Sequence, residues 1–139
     1  MMSFNKILEK IIEVDRNKHL FKLTDGSYWM QEDSILTPSY KHMAEVQLIE
    51  NEAKCYLQIN DEKIVVSPLY NVIESQISGF FKGWSGNSSY HLKNGQTWKE
   101  VSAVYHRQCE LSSNVLIYKY RKHTYMCVAG TVAMVENIE

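Results

Sequence analysis

His106 and Cys109 stand three residues apart in a polar stretch that also carries Tyr105 and Arg107. A thiol beside an imidazole is the raw material of a nucleophile and its base, yet such a pair needs a third group to orient the histidine. The sequence supplies none at a recognisable spacing. The same two side chains fill too few of zinc's coordination positions, and the five histidines of the chain are scattered. No HExxH, GxSxG or glycine-rich phosphate loop occurs. The chain therefore reads as non-enzymatic, with no metal and no cofactor. Tyr105, His106 and Arg107 remain as candidates for holding a ligand or a partner.

Trp84 joins them. It stands immediately before the polar run Ser85-Gly86-Asn87-Ser88-Ser89. A tryptophan beside a glycine- and serine-rich loop reads equally as core or as a ligand or interface platform. Tyr118-Lys119-Tyr120-Arg121-Lys122-His123 is the strongest charge feature. Cations interleaved with tyrosines suit single-stranded nucleic acid, through phosphate contact and base stacking. The plainer reading is a solvated hairpin tip, or a basic tip that meets an acidic partner, and it outweighs the nucleic-acid one.

A strand-rich chain must position these residues. Nine tyrosines, four phenylalanines and three tryptophans against two prolines favour strands over helices. A length of 139 residues suits one ordinary domain or two very small ones. The formal net charge of -1 gives no global pull toward nucleic acid or an anionic membrane. Residues 1–69 hold 8 Lys/Arg against 11 Asp/Glu (net -3), and residues 70–139 hold 7 against 5 (net +2), so the second half is mildly basic. Cys55, Cys109 and Cys127 are an odd set without CxxC spacing, which fits reduced thiols in the cytoplasm. Lys6, Glu9 and Lys10 interrupt the early apolar residues before a signal peptide's core can form. No apolar run reaches membrane-spanning length, so no membrane partner is expected.

Along the chain, Ile7, Leu8, Ile11 and Ile12 have the spacing of a short amphipathic helix, while Ile11-Ile12-Glu13-Val14 equally suits a strand. A helical turn or two running into a strand is expected. Phe21-Lys22-Leu23-Thr24-Asp25-Gly26-Ser27-Tyr28-Trp29 then reads as a hairpin, with Asp25-Gly26 as a two-residue type I′ turn. Proline and serines mark residues 32–45 as a long loop with room for a short strand at Ile35-Leu36. Alternating strands follow near 46–49, 54–59 and 63–66. A shift of 69 residues repeats the pattern: Leu23 falls on Leu92, Gly26 on Gly95, Trp29 on Trp98, Leu48 on Ile117 and Val66 on Val135. The second hairpin, Tyr90-His91-Leu92-Lys93-Asn94-Gly95-Gln96-Thr97-Trp98, turns at Asn94-Gly95. An internal duplication is expected, with units at 1–70 and 71–139.

The run Ile77-Ser78-Gly79-Phe80-Phe81-Lys82-Gly83-Trp84, followed by the hairpin Leu92-Lys93-Asn94-Gly95-Gln96-Thr97-Trp98, resembles a small bacterial SH3-like domain of no settled activity. The resemblance covers most of 73–137 and, degraded, 5–69; the first copy lacks the Gly-x-Phe-x-Gly-Trp element. It implies two tandem SH3-like small barrels in an all-β protein, and a setting among bacterial accessory genomes, integron gene cassettes included. Trp29 and Trp98, equivalent after each turn, are assigned to the core.

Where the copies differ, function is sought. Tyr28 and Met30 correspond to Thr97 and Lys99, so one face is apolar in the first copy and polar in the second. They are expected at a contact between units or between two chains of a homo-oligomer, a dimer first. The acidic Glu50-Asn51-Glu52 likewise corresponds to the basic tip at 119–121. The expected function is binding of a protein, a peptide or a small molecule, with nucleic acid as the alternative.

Overall fold

Cys55, Leu57 and Ile59 share one face of their strand while Tyr56 and Gln58 take the other, and the three share a core with Leu8, Phe21 and Trp29. This period-two alternation, typical of a sheet with one buried face, recurs along the chain. The computed structural model describes residues 2–15, 18–33 and 43–138. Among them every regular element is a strand, so the protein is all-β. The Ile35-Leu36 segment, and with it Tyr40, Lys41 and His42, lies outside the described residues. The chain divides into two units, Met1–Leu69 and Tyr70–Glu139.

Unit 1 comprises β1 (Met2–Asp15), β2 (Lys18–Leu23), β3 (Tyr28–Gln31), β4 (Glu45–Asn51), β5 (Lys54–Ile59) and β6 (Glu62–Leu69). They close into a barrel in the order β1-β2-β3-β6-β5-β4. β1 serves two neighbours: Met2–Ile7 pairs with β4, and Leu8–Asp15 with β2. The helical turn expected here is absent. The register slips between Leu8 and Lys10, and this bulge adds one residue, so that Leu8 and Ile11 both meet the core. An i, i+3 spacing that imitates a helix is thus the product of a bulge in a strand.

Unit 2 comprises β7 (Ile73–Gln76), β8 (Phe80–Ser85), β9 (Ser89–His91), β10 (Thr97–Glu100), β11 (Tyr105–Leu111), β12 (Asn114–Tyr120), β13 (His123–Val128) and β14 (Thr131–Asn137). Six of them form a curled sheet, β7-β12-β13-β14-β10-β9, which is the order of unit 1 read from the start of β1 through β4. Among the described residues its two edges meet only at one bridge, Ile77 to Leu92, with Ser78 N–H donating to the His91 carbonyl at 2.8 Å and Lys93 N–H to the Gln76 carbonyl at 2.9 Å. β8 occupies the place of the second half of β1, but it pairs with β11 in a separate two-stranded ribbon.

The cores correspond position by position. Each of the ten buried core residues of unit 1, from Leu8 to Val66, stands 69 positions before a core residue of unit 2, from Ile77 to Val135. Unit 2 adds Phe81 and Trp84. The two hairpin turns also match, and both differ from the expected type I′. Gly26 N–H donates to the Leu23 carbonyl at 3.0 Å and Leu23 N–H to the Ser27 carbonyl at 3.0 Å; Gly95, Leu92 and Gln96 repeat this at 3.0 and 2.8 Å. Each loop therefore has three residues, and within it only the glycine takes positive φ, +89° and +92°. This is a turn followed by a glycine bulge. The side chain of Asp25 or Asn94 fixes it by accepting the N–H of Ser27 (3.0 Å) or Gln96 (2.9 Å).

Candidate functional site

Phe81 and Trp84 both face the core although they stand three positions apart. A regular strand would send them to opposite faces. Gly83 lies between them with φ +89° and resets the alternation. It has a second task. A Cβ at this position would stand 1.9 Å from the His106 carbonyl oxygen, so only glycine lets β8 approach β11 this closely. The ribbon then places Ser85 opposite Tyr105, Trp84 opposite His106 and Gly83 opposite Arg107.

Trp84 is 3% exposed. Its ring meets Phe81 and Tyr90 edge-on, with centroids at 5.5 and 5.6 Å. Its Nε1 donates to Thr131 Oγ1 at 2.9 Å, and that hydroxyl donates to the Val128 carbonyl at 2.7 Å. The indole is fixed in the core. Tyr90 holds the seam left by β8: its hydroxyl donates to the Gly83 carbonyl and accepts from Lys82 N–H at 3.1 Å. Burial raises the pKa of this hydroxyl, keeping it protonated.

Glu100, which sequence reasoning passed over, anchors both loops at the ribbon's end. It is 1% exposed. Oε1 accepts the N–H groups of Ser85 (3.2 Å), Gly86 (2.8 Å) and Ser88 (3.5 Å). Oε2 accepts from Val104 N–H at 3.2 Å and from the Ser102 hydroxyl at 3.5 Å. A buried carboxylate is tolerable only with donors of this kind. The signal was available: Glu100 lies two residues after Trp98 on one strand, so it must share the inward face.

Lys82, Trp84, Ser85, Tyr105, His106 and Arg107 line a cleft of about 450 Å³ along the ribbon. Four of the residues singled out in the sequence, Trp84, Tyr105, His106 and Arg107, thus come together; Lys82 and Ser85 were not foreseen. Tyr105 is 76% exposed, its hydroxyl beside Gly86. His106 Nε2 lies 2.9 Å from Gln108 Oε1. The Ser85 hydroxyl contacts Asn87 Oδ1 at 3.1 Å and Ser88 Oγ at 2.8 Å. The lining thus carries two cationic side chains, an imidazole and a phenol, with no carboxylate among the described lining residues; Tyr105 and Arg107 share one face of β11 and His106 takes the other. Such a surface attracts anions and offers an aromatic edge for an apolar moiety. A smaller groove in unit 1, of about 220 Å³ and lined by Asn5, Glu45, Val46, Gln47, Gln58 and Asn60, is mainly neutral amide and has no aromatic residue among its described lining.

The other candidates lie elsewhere. Tyr28 and Met30 are buried on the face of β3 opposite Trp29, and the Lys22 ammonium lies 5.5 Å from the Tyr28 ring centre. The basic tip closes the β12–β13 hairpin, with Lys119, Arg121, Lys122 and His123 exposed. Its aromatic faces are engaged. Tyr118 is buried and stacks on Tyr125 at 5.5 Å, burial raising its pKa, and Arg121 covers Tyr120 at 5.2 Å. His123 stands edge-on to Tyr125 at 6.3 Å. Among the described residues, no group of three His, Cys, Asp or Glu side chains is placed to hold a metal ion. No helix among them is long and apolar enough to cross a membrane. Comparison with protein-family models, with curated proteins and with solved structures gave no match.

Proposed function

We propose that this chain is a non-enzymatic binding protein whose ligand, an anionic molecule with a flat or apolar moiety, sits in the β8–β11 cleft. The observation that carries this reading is the lining of one cleft by Lys82, Arg107, His106 and Tyr105, with no carboxylate among its described lining residues. The cleft also lies where β8 departs from the arrangement of its counterpart, the second half of β1, by pairing with β11. The clamp on Glu100 supports it further, because a site built on pre-ordered loops loses less entropy when a ligand binds.

The tip at 118–123 combines charge with engaged rather than open tyrosine faces, so it ranks second as a site for nucleic acid. A duplicated origin for the two units is part of the same reading. It is supported by the constant offset of 69 between the two cores and by the repeated glycine-bulge turns. An SH3-like ancestry accords with the bent, shared first strand, and a cytoplasmic location with three cysteines that are thiols.

Calorimetric titration with phenyl phosphate, and with phenol as the uncharged control, tests the cleft. Phenyl phosphate should bind and phenol should not. Lys82→Gln with Arg107→Gln should weaken binding at least tenfold, while Lys119→Gln with Lys122→Gln should leave it unchanged. Equal loss from both pairs, or no binding of phenyl phosphate, overturns the assignment.

A further inference from the structure

We infer that β11 is a dimerisation edge, which pairs antiparallel with β11 of a second copy about a two-fold axis through Gln108. The strand carries Tyr105, His106 and Arg107, which also line the cleft, but the pairing is argued from its free edge and its own sequence and needs no ligand there.

β11 has seven residues and one strand partner, β8. Among the described residues its other edge is unpaired, and all its residues except the half-buried Gln108 are exposed. A two-stranded ribbon is marginal alone and gains from a third strand. An unpaired edge of this length is a template for another chain.

The occupant follows from the strand's own sequence. Antiparallel self-pairing about Gln108 places Tyr105 against Leu111 of the second copy, His106 against its Glu110, and Arg107 against its Cys109. Tyr105 and Leu111 are 76% and 63% exposed, and Leu111 already pairs with Phe80, itself 52% exposed. Each end of the dimer would thus bury a row of Phe80, Leu111 and the second copy's Tyr105. His106, Gln108 and Glu110 lie along one face, linked at 2.9 and 3.1 Å. Reversing this row about its centre sets an imidazole against a carboxylate twice, the complementarity an isologous contact needs. The strand also carries one extra residue between Arg107 and Glu110. A bulge would break the register with most strands, but at the two-fold centre it is met by its own copy.

Sedimentation equilibrium of the full chain should show a concentration-dependent dimer. His106→Glu opposes two carboxylates across the axis and should raise the dimer dissociation constant at least tenfold. Adding Glu110→Lys to it should restore most of the affinity. Register is read separately: Gln108→Cys in a Cys109→Ser background faces itself across the axis and should form an intermolecular disulfide on mild oxidation. Tyr105→Cys in the same background should not. A monomer at every concentration overturns the proposal. So does a dimer indifferent to both charge changes, or one that crosslinks through position 105 rather than 108.

Discussion

The Tyr90 hydroxyl donates to the Gly83 carbonyl, a bond that its counterpart in unit 1, Phe21, has no atom to make. Phe21 instead lies directly opposite Ile11 in the β1–β2 ladder. One oxygen atom thus accompanies the difference between a strand that stays in its barrel and one, β8, that leaves the sheet to pair with β11. Where β8 leaves β9, the tyrosine supplies the backbone partners that a neighbouring strand would have supplied.

Tyr90→Phe should therefore loosen β8 without emptying the core. The Gly83 carbonyl and the Lys82 N–H lose their partner, at a cost of about 1–3 kcal/mol. Amide exchange should accelerate at Lys82 while the amides of β4 and β5 keep their rates. Unchanged exchange at Lys82 would show that the hydroxyl does not hold the seam.

Gly83→Ala should be far more damaging than Gly79→Ala, although both glycines have positive φ, +89° and +95°. At Gly79 an added Cβ meets nothing within 4 Å, leaving backbone strain of about 1–2 kcal/mol. At Gly83 it meets the His106 carbonyl at 1.9 Å, and strain plus steric displacement should reach about 3 kcal/mol or more. Chemical denaturation compares the two, and equal losses would mean that the ribbon accommodates a side chain.

Asp25 predicts an acid response confined to the first hairpin. The Ser27 hydroxyl at 2.6 Å is the main cause that lowers its pKa from 3.8 to about 2, with Ser27 N–H and the Lys6 ammonium adding to it and slight burial opposing. A lowered carboxylate pKa stabilises the fold above the ordinary value, and the contribution fades as pH falls toward the folded one. Stability should therefore decline from about pH 4 to pH 2 in the native chain. Asp25→Asn, which copies Asn94, should flatten that part of the profile. An unaltered slope would place the acid sensitivity elsewhere.

Much of this was legible beforehand because period two and turn chemistry are local. Leu23, Trp29 and Gly26 announced the first hairpin, and the constant offset of 69 carried the reading to Leu92, Trp98 and Gly95. The errors came from single extra residues. A bulge near Glu9 imitates a helix, and Asp25-Gly26 and Asn94-Gly95 look like complete turns although each loop takes in the residue before them. The cleft was half visible. Tyr105, His106 and Arg107 are adjacent in sequence, but their meeting with Trp84 and Lys82 depends on the pairing of β8 with β11. No local pattern encodes that pairing; the constraint on Gly83 appears only once the His106 carbonyl is in place.

The Glu100 anchor has a counterpart with its polarity reversed, and this gives the most demanding prediction. In unit 1 the equivalent buried residue is Gln31, whose Nε2 donates to Asp33 Oδ1 at 3.0 Å, while Asp33 Oδ2 accepts Val65 N–H at 2.7 Å. In unit 2 the carboxylate is Glu100, and it is Ser102 that donates to it, while the Ser102 oxygen accepts Met134 N–H at 3.2 Å. The negative charge has moved by two residues along one conserved path of hydrogen bonds. Glu100→Gln should cost about 1–3 kcal/mol, because an amide NH₂ would confront the Val104 N–H or the N–H groups of the 85–88 loop. Ser102→Asp alone should cost about 3 kcal/mol or more, since it sets a second carboxylate beside a buried one. Together they rebuild the arrangement of unit 1, with the new amide donating to the new carboxylate and Met134 N–H still accepted. The double variant should then be more stable than the sum of its parts by at least about 1 kcal/mol, measured as the coupling in a double-mutant cycle. Strict additivity would mean that the two side chains do not act through one another.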